Sequence, residues 1–249
     1  MSCLFCRRVD GRFTSREHAF PESLGNVDLI LPPGIVCDRC NNGPLATLDK
    51  ALCEFGPISM RRTMLGVRSK AGRMPALRTG DGRVEHVPGA DGNDPTLIFS
   101  GSQGRSMLRV VARHADGRVE LSWSGKTGGP RMTSRYAAKI HRALLKAALE
   151  LVWLDHKDRA FNADFDHIRE AVLGASRDGF LTMVSAVDPN ETNSTIHYWL
   201  DPAGDDSGRI LVLMNYAGIQ LETDSRLPRP LGDPAPGLVT WLFTEADSA

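Results

Sequence analysis

Two closely spaced pairs of cysteines near the N-terminus constrain the fold of this chain more than any other feature. Cys3 pairs with Cys6 and Cys37 with Cys40, with two residues between the members of each pair. A Cys-x-x-Cys turn presents two sulfurs from one tight backbone knuckle, so two knuckles complete the tetrahedron that structural zinc prefers. The sequence therefore predicts a zinc ion bound by these four cysteines. Because so small a segment buries little apolar surface, we expect zinc to supply much of its folding free energy.

The composition is ordinary for a soluble protein, and we expect a cytoplasmic one. The 249 residues are 41% hydrophobic and 24% charged, which allows a sizeable core. No apolar run follows Met1, so we expect no secretory signal. The most apolar stretch, 137–154, carries four charged residues, which argues against a membrane span. Cytoplasmic cysteines stay reduced, so we expect the four paired ones to bind metal and the fifth, Cys53, to be buried.

Charge is unevenly distributed along the chain, although the formal net charge is zero. Residues 1–80 contain twelve Lys and Arg against seven Asp and Glu, so the remainder is acidic. A basic segment beside an acidic one is typical of a phosphate-binding module joined to a second module. A solvated linker is the alternative interpretation of the arginines after residue 60. The candidates for nucleic-acid contact are Arg16, Arg39, Arg61 and Arg62.

The pattern of apolar residues and turn signals predicts an α+β fold in three segments. We expect a metal-binding unit over residues 1–57 and a basic, loop-rich connection over 58–94, where glycine, proline and arginine are frequent. A mixed α+β domain is expected over 95–249. It contains the clearest helix and most of the predicted strands.

The clearest helix runs from Tyr136 to about His156. Charged residues three and four apart form a narrow polar stripe on this otherwise apolar helix, which is typical of a helix that organises a core. A shorter helix is predicted over 165–173, ended by Gly174. Alternation between turn signals predicts strands at 96–100, 107–113, 119–124, 181–187, 195–200, 210–214, 219–222 and 239–243.

The residues between the cysteine pairs indicate phosphodiester chemistry. Hydrolysis of a phosphodiester needs an activated water, a metal that neutralises developing charge and stabilisation of the leaving oxygen. Glu17 and His18 place a metal-binding carboxylate beside a base, and Asn41 directly follows the second cysteine pair. With the cysteines and Asn41, residues 17–25 (Glu-His-Ala-Phe-Pro-Glu-Ser-Leu-Gly) resemble the HNH endonuclease superfamily in its four-cysteine variant. The resemblance covers about residues 3–55 and implies a zinc-stapled ββα-metal, treble-clef-like unit.

The resemblance implies a role for each of these residues. Glu17 would ligate a catalytic divalent cation from the first strand, and Asn41 would ligate it from the helix. His18 would be the general base that deprotonates the attacking water. Magnesium or manganese suits such a site, and the substrate would be DNA, with RNA left open. Asn42 and Asp49 are candidate further ligands, since Asp49 lies about two helical turns after Asn41; a solvated carboxylate is the alternative for Asp49.

The chain departs from the family's pattern at one position that matters for catalysis. An asparagine usually lies about nine residues before the position of Asn41 and orients the catalytic histidine, but Pro32 occupies that place. Another group must therefore orient His18. Glu17 also stands where many relatives have Asp, which keeps the metal-binding role but adds one methylene.

Three interpretations of the whole chain remain open. It is a metal-dependent DNA endonuclease, a catalytically inactive zinc-stabilised nucleic-acid-binding regulator, or a protein-interaction adaptor built on the zinc knuckles. Residues 95–249 carry no catalytic motif, and their candidate roles are substrate positioning, homodimerisation and the binding of a regulatory ligand. HNH units with an appended domain occur in bacterial antiphage defence and restriction, which is an analogy at the level of the fold.

Overall fold

We obtained the structure of the chain as a computed structural model. It describes residues 2–68, 72, 76–79, 82–87, 96–101, 104–113, 119–124, 134–174, 181–186, 196–202, 209–225 and 239–243. Within these residues the chain is a mixed α+β protein, which confirms the predicted fold class at that level. None of the helices in the described part of the chain has the length and apolarity needed to cross a membrane.

Residues 2–68, which we call the N-terminal unit, build a short β-hairpin followed by helices. Strand β1 (Glu17–His18) pairs antiparallel with strand β2 (Ile30–Leu31). A turn of 3-10 helix, Glu22–Leu24, lies between the two strands and ends at Gly25. The φ of Gly25 is 91°, a left-handed conformation that glycine adopts without the steric cost a side chain would add.

Three helices follow the hairpin. Helix α1 (Asp38–Cys40) continues into a wide π-helical turn, Asn41–Leu45, which leads into helix α2 (Ala46–Glu54). Pro44 lies inside the wide turn, and because proline has no N–H the ordinary helical hydrogen bond cannot form there. Helix α3 (Gly56–Met64) follows with a proline in its first turn, where the missing N–H costs nothing.

Two five-stranded antiparallel sheets make up most of the remaining described structure. The strands are β3 (Ala76–Thr79), β4 (Gly82–Val87), β5 (Thr96–Gly101), β6 (Gly104–Arg113), β7 (Val119–Ser124), β8 (Leu181–Ala186), β9 (Ile196–Pro202), β10 (Ile210–Tyr216), β11 (Ile219–Asp224) and β12 (Val239–Phe243). The first sheet is a meander from β3 to β7, and the second has the order β12-β8-β11-β10-β9. Along β10 buried and partly exposed residues alternate, as expected for a strand with one face on the core.

A long helix of the C-terminal half contacts both the N-terminal unit and the second sheet. Helix α4 (Ser134–His156) packs against α2 and against strands β8 to β12. Two turns of 3-10 helix, Lys157–Phe161 and Ala163–Phe165, connect it to helix α5 (Asp166–Leu173). Helix α5 ends at Gly174, whose φ is 83°.

One hydrophobic core joins the N-terminal unit to the C-terminal half. A single cluster of buried side chains includes Leu4 and Leu48 of the N-terminal unit, Leu144 of α4 and Val212 of β10. Because burial of each such side chain contributes about 1.5–3 kcal/mol, the two parts of the chain stabilise one another.

The structure confirms the long helix and all the predicted strands to within a few residues. The segment predicted as a loop-rich connection, 58–94, has more regular structure than expected. Helix α3 runs across the predicted boundary after residue 57, because Gly56 and Pro57 begin a helix instead of a loop. Strands β3 and β4 join β5 in one sheet, which runs across the boundary after residue 94. Outside the described residues lie 69–71, 73–75, 80–81 and 88–94 of this segment.

Candidate metal and catalytic site

The four N-terminal cysteines converge on one point. The sulfur atoms of Cys3, Cys6, Cys37 and Cys40 all lie within 4.8 Å of one another, and all four cysteines are free thiols. The Sγ atoms of Cys6 and Cys37 are 3.7 Å apart, and Zn–S bonds of about 2.3 Å in a tetrahedron require a spacing of about 3.8 Å. This four-cysteine cluster could hold a metal ion, and its soft sulfur ligands fit zinc.

Backbone hydrogen bonds shape the first cysteine knuckle. The N–H of Cys3 donates to the carbonyl of Arg8 at 2.8 Å, and the N–H of Arg7 donates to the carbonyl of Cys3 at 3.1 Å. Arg7 adopts a left-handed φ of 61°, which is uncommon for a residue with a side chain. The N–H of Cys37 points at the sulfur of Cys3 at 3.4 Å. The second knuckle therefore stabilises negative charge on a sulfur of the first.

The sulfurs compete for protons because they lie so close together. A hydrogen bond with Cys40 lowers the pKa of Cys3 to about 4, and the same interaction raises the pKa of Cys40. Burial raises the pKa of Cys6. One thiolate is thus favoured at the expense of its neighbours, and a bound cation would allow all four sulfurs to ionise.

Side chains at the start of the helical segment tie it to the residues before β1. The carboxylate of Asp38 accepts from the backbone N–H groups of Thr14 (2.9 Å) and Ser15 (3.0 Å) and from both hydroxyls (2.8 and 2.9 Å). These hydrogen bonds, the Thr14 hydroxyl first, hold the pKa of Asp38 below its ordinary value. Asn41 donates from its amide to the carbonyl of Arg16 at 2.8 Å. The chain entering β1 is thereby fixed against the segment around the second cysteine pair.

Glu17 is buried and forms an ion pair with a lysine of α4. The Glu17 side chain is 4% exposed, and its Oε1 lies 2.7 Å from Nζ of Lys146. Lys146 is 1% exposed, and its Nζ also lies 2.8 Å from Oδ1 of Asp49 and 3.4 Å from Oε2 of Glu150. A lysine is almost never buried so completely unless it is paired. Glu17, the predicted metal ligand on β1, therefore has one carboxylate oxygen paired with a lysine of helix α4.

The pKa values of this buried group follow from desolvation and from proximity of charges. Burial acts to lower the pKa of Lys146, but the carboxylates around it, Asp49 foremost, outweigh burial and hold that pKa well above its ordinary value. Burial raises the pKa of Glu17 and that of Glu150, the latter well above the ordinary range. Among the described residues neither oxygen of Glu150 has a hydrogen-bond partner. The surrounding carboxylates therefore keep the lysine charged, whereas burial favours a protonated Glu150.

His18 is held through its backbone and lies near a second glutamate. Its carbonyl accepts a hydrogen bond from Nζ of Lys146 at 2.7 Å. Its Nε2 lies 3.9 Å from Oε2 of Glu22, and the imidazole is 23% exposed. A water molecule can therefore reach the ring.

A buried asparagine closes the loop between β1 and β2. Asn26 donates from its amide to the carbonyls of Phe20 at 2.7 Å and Leu29 at 3.1 Å. Its side-chain oxygen accepts from the N–H of Leu29 at 3.0 Å. Asn26 is 5% exposed, and these bonds use most of the hydrogen-bonding capacity of its amide. Asn26 thus fixes the hairpin that carries Glu17 and His18.

The two candidate further ligands have other partners. Asn42 donates from its amide to the carbonyl of Asp38 at 2.9 Å. Asp49 lies on the face of α2 that meets α4 and pairs with Lys146. It is 26% exposed, so it is an ion-pair partner instead of a solvated carboxylate.

The arginines predicted to contact nucleic acid fall into two groups. Arg16 and Arg39 are exposed. The carbonyl of Arg16 accepts the hydrogen bond from Asn41, and Arg39 lies two residues before Asn41 in the sequence. Arg61 and Arg62 are only 9% and 8% exposed, so little of either side chain is accessible, and their contact with nucleic acid stays a prediction. They lie on helix α3 instead of in a loop, and the packing of that helix buries them.

The donors assigned to a catalytic cation fit magnesium or manganese in kind. Glu17 offers a carboxylate, and Asn41 commits its amide nitrogen to Arg16, which leaves the amide oxygen as its ligand atom. Mg²⁺ prefers oxygen ligands and keeps several waters, using one or two protein carboxylates together with substrate phosphates. In the part of the chain that the structure describes, no second group of three or more Cys, His, Asp or Glu converges as the cysteines do.

Three residues of this site were not predicted from the sequence: Lys146, Asp38 and Asn26. Lys146 belongs to the polar stripe of the predicted helix, and a charged residue on so apolar a helix is the signal that could have marked it as buried and paired. Asp38 begins a helix and Asn26 follows a turn glycine, positions where short polar side chains commonly bond to the backbone.

No protein-family model matches the chain, and comparisons with curated proteins and with solved structures also find no match. The functional interpretation therefore depends on the sequence motifs and on the geometry of the described residues.

Proposed function

We propose that this chain is a metal-dependent endonuclease of the HNH type that hydrolyses phosphodiester bonds in DNA and carries a structural zinc on its four-cysteine cluster. The observation that best supports the proposal is that Glu17 and His18 lie on strand β1 and that Asn41 begins the helical turn directly after Cys40, one of the four clustered cysteines. Asn41 is hydrogen-bonded to the carbonyl of Arg16, the residue before Glu17. The polar groups that the chemistry needs therefore belong to one small, braced substructure.

In this proposal His18 is the general base. Its imidazole takes the proton from the water that attacks the scissile phosphorus. Glu22, with Oε2 3.9 Å from Nε2 of His18, is placed to stabilise the imidazolium that forms. A partly exposed base on a hairpin can meet a substrate as large as duplex DNA without a deep pocket.

Glu17 and Asn41 are the residues that would hold the divalent cation. When bound, the cation supplies charge neutralisation at the scissile phosphate and at the leaving oxygen. Oε1 of Glu17 is paired with Lys146, so we assign the second carboxylate oxygen to the cation. Arg16 and Arg39 are assigned to flanking phosphates, which would make DNA affinity fall as salt rises.

The test is cleavage of supercoiled plasmid by the purified protein with Mg²⁺, Mn²⁺ or EDTA. The matched variants are His18→Ala and His156→Ala, because His156 is an exposed histidine at the end of α4. We expect nicking that needs added metal, that falls by about 10²-fold or more in His18→Ala, and that is unchanged in His156→Ala. Equal cleavage by both variants, or no metal-dependent cleavage by the wild type, would overturn the proposal. Equal zinc content in all three proteins is the control for folding.

A second function, a nucleic-acid-binding regulator without catalysis, is favoured by one observation. Glu17 is buried against Lys146, and a purely structural ion pair would have the same geometry. For a regulator we expect no cleavage by wild type or His18→Ala, while both proteins retard DNA on a gel with salt-dependent affinity.

A further inference from the structure

We propose that Lys146 is a positioning residue of this site, through which helix α4 fixes strand β1 and orients His18. The inference rests on the proposed nuclease function. It identifies the group that takes over the orienting role where the usual asparagine is replaced by Pro32.

The ammonium of Lys146 makes two hydrogen bonds, to the carbonyl of His18 and to Oδ1 of Asp49, and its close contact with Oε1 of Glu17 is an ion pair without hydrogen-bond geometry. The three oxygens nearest Nζ are the carbonyl of His18 at 2.7 Å, Oε1 of Glu17 at 2.7 Å and Oδ1 of Asp49 at 2.8 Å. Glu150, at 3.4 Å, is the fourth and more distant neighbour.

Two of these three contacts fall on consecutive residues of β1. Lys146 meets the side chain of Glu17 and the backbone of His18, so it restrains both the position of the strand and the direction in which the imidazole leaves it. Strand β1 has two residues and pairs with β2, which is equally short. The backbone pairing of two such short strands fixes the geometry of the hairpin only weakly. The third contact, Asp49, connects the same ammonium to α2.

Stability alone does not explain a buried lysine at this point. Charges buried in a core are often replaceable by apolar side chains without loss of stability, because desolvation offsets their attraction. A positioning role for Lys146, in contrast, predicts a specific effect on catalysis. The turnover rate should depend on Lys146, whereas the affinity for DNA should not.

The experiment compares two changes on the same helix, made in the full-length protein. The test variant combines Lys146→Met with Glu150→Gln, so that the ammonium is removed and the carboxyl group one turn away, which would lose its cationic neighbour, cannot ionise. The matched control is Arg142→Met, one turn before Lys146. Arg142 also donates to a backbone carbonyl, that of Val172 at 2.7 Å, but this partner lies at the end of α5.

Two measurements are made, and only the first of them requires the protein to be catalytically active. The first is kcat and KM for metal-dependent plasmid nicking. The second is hydrogen exchange at the backbone N–H of Ala19, which donates to the carbonyl of Leu29 at 2.9 Å and reports on the hairpin directly after His18.

In the test variant we expect kcat to fall by about 10- to 100-fold with KM within about twofold of the wild-type value. Exchange at Ala19 should accelerate by about tenfold. Arg142→Met should leave all three quantities near wild type, and zinc content should be equal throughout. If the test variant loses zinc, Lys146→Gln, which retains two N–H donors, takes its place with the same expectations.

A test variant that matches Arg142→Met in kcat and in Ala19 exchange would overturn the inference, and so would a variant in which KM alone changes. If the wild type does not cleave with any metal, the proposed function fails and the exchange measurement decides about Lys146 by itself. Faster exchange at Ala19 would then still show that Lys146 holds β1, and unchanged exchange would refute it.

Discussion

Each polar side chain that shapes the candidate site satisfies several partners at once. Asp38 accepts four hydrogen bonds, Asn26 makes three, and Lys146 meets three oxygens at short distance. Removal of such a group costs more than one bond, and the cost is greatest for Asn26 and Lys146, whose side chains are buried. The geometry of Glu17 and His18 therefore depends on residues that have no chemical role themselves.

Asn26→Ala should destabilise the protein by about 2–4 kcal/mol, since it removes three hydrogen bonds and deprives the carbonyl of Phe20 and the N–H of Leu29 of their side-chain partner. The measurement is the free energy of unfolding from denaturant titration of zinc-loaded protein. Val27→Ala is the control, because Val27 is 68% exposed in the same loop and should change stability by no more than about 0.5 kcal/mol. A loss as small as that for Asn26→Ala would contradict the assigned role.

Glu150→Gln should become more stable relative to wild type as pH rises from about 5 to about 8. Burial raises the pKa of Glu150 well above its ordinary value of 4.5. The folded state therefore binds this proton more tightly than the unfolded state, and the stability that the group contributes is lost as pH rises above its unfolded pKa. Glutamine cannot ionise and avoids that loss. The charged groups facing Glu150 are Lys146, Glu17 and Asp49.

The measurement is denaturant unfolding at several pH values, with Glu170→Gln as the control. Glu170 is an exposed glutamate on α5, so its replacement should not change the slope of stability against pH. If the difference between Glu150→Gln and wild type is flat across this range or decreases, the buried, protonated state assigned to Glu150 is wrong.

Helix α5 supports the first cysteine knuckle from outside the N-terminal unit. Arg169 is 3% exposed, and its Nε donates at 2.7 Å to the carbonyl of Leu4, which lies inside the first cysteine pair. Its other nitrogens donate to the carbonyls of Ala160 and Asn162 and to the carboxylate of Asp166. One guanidinium thus connects the knuckle to α5 and to the turn before it.

Arg169→Met should speed the release of zinc to a chelator by about tenfold, as loss of outer-shell partners commonly does at metal sites. Methionine keeps the apolar stem of the side chain but removes the hydrogen bond from Arg169 to the carbonyl of Leu4. The rate is followed with a chromophoric chelator, beside Lys157→Met, in which an exposed cation is removed. Equal release rates in the two variants would show that α5 does not support the metal site.

Elements with a local pattern could be predicted from the sequence, and contacts between distant elements could not. The periodicity of α4 and the alternation of β7 gave nearly their observed bounds. Helix α3 was missed because Gly56 and Pro57 are also loop signals, and the burial of Arg61 and Arg62 was missed with it. The partner of Glu17 lies on α4, more than a hundred residues away, and no local pattern shows which element that face of α4 will meet.

At the scale of the whole molecule, the N-terminal unit and the helices of the C-terminal half share one core. Lys146 on α4 contacts strand β1, and Arg169 on α5 contacts the first cysteine knuckle. The sequence predicted a zinc-stapled unit over 1–57, connected by 58–94 to an accessory domain over 95–249. The contacts give the later helices a direct structural part in the candidate site.

Our central proposal is that the hairpin of β1 and β2, contacted by Lys146 of α4, holds a divalent cation at Glu17. The most direct measurement is a titration of zinc-loaded protein with Mn²⁺, with free Mn²⁺ followed by electron paramagnetic resonance. We expect one Mn²⁺ per chain, at least about tenfold weaker binding in Glu17→Gln, and unchanged binding in Glu54→Gln, whose target is an exposed glutamate of α2. Absence of stoichiometric binding, or equal binding by both variants at equal zinc content, would contradict the account.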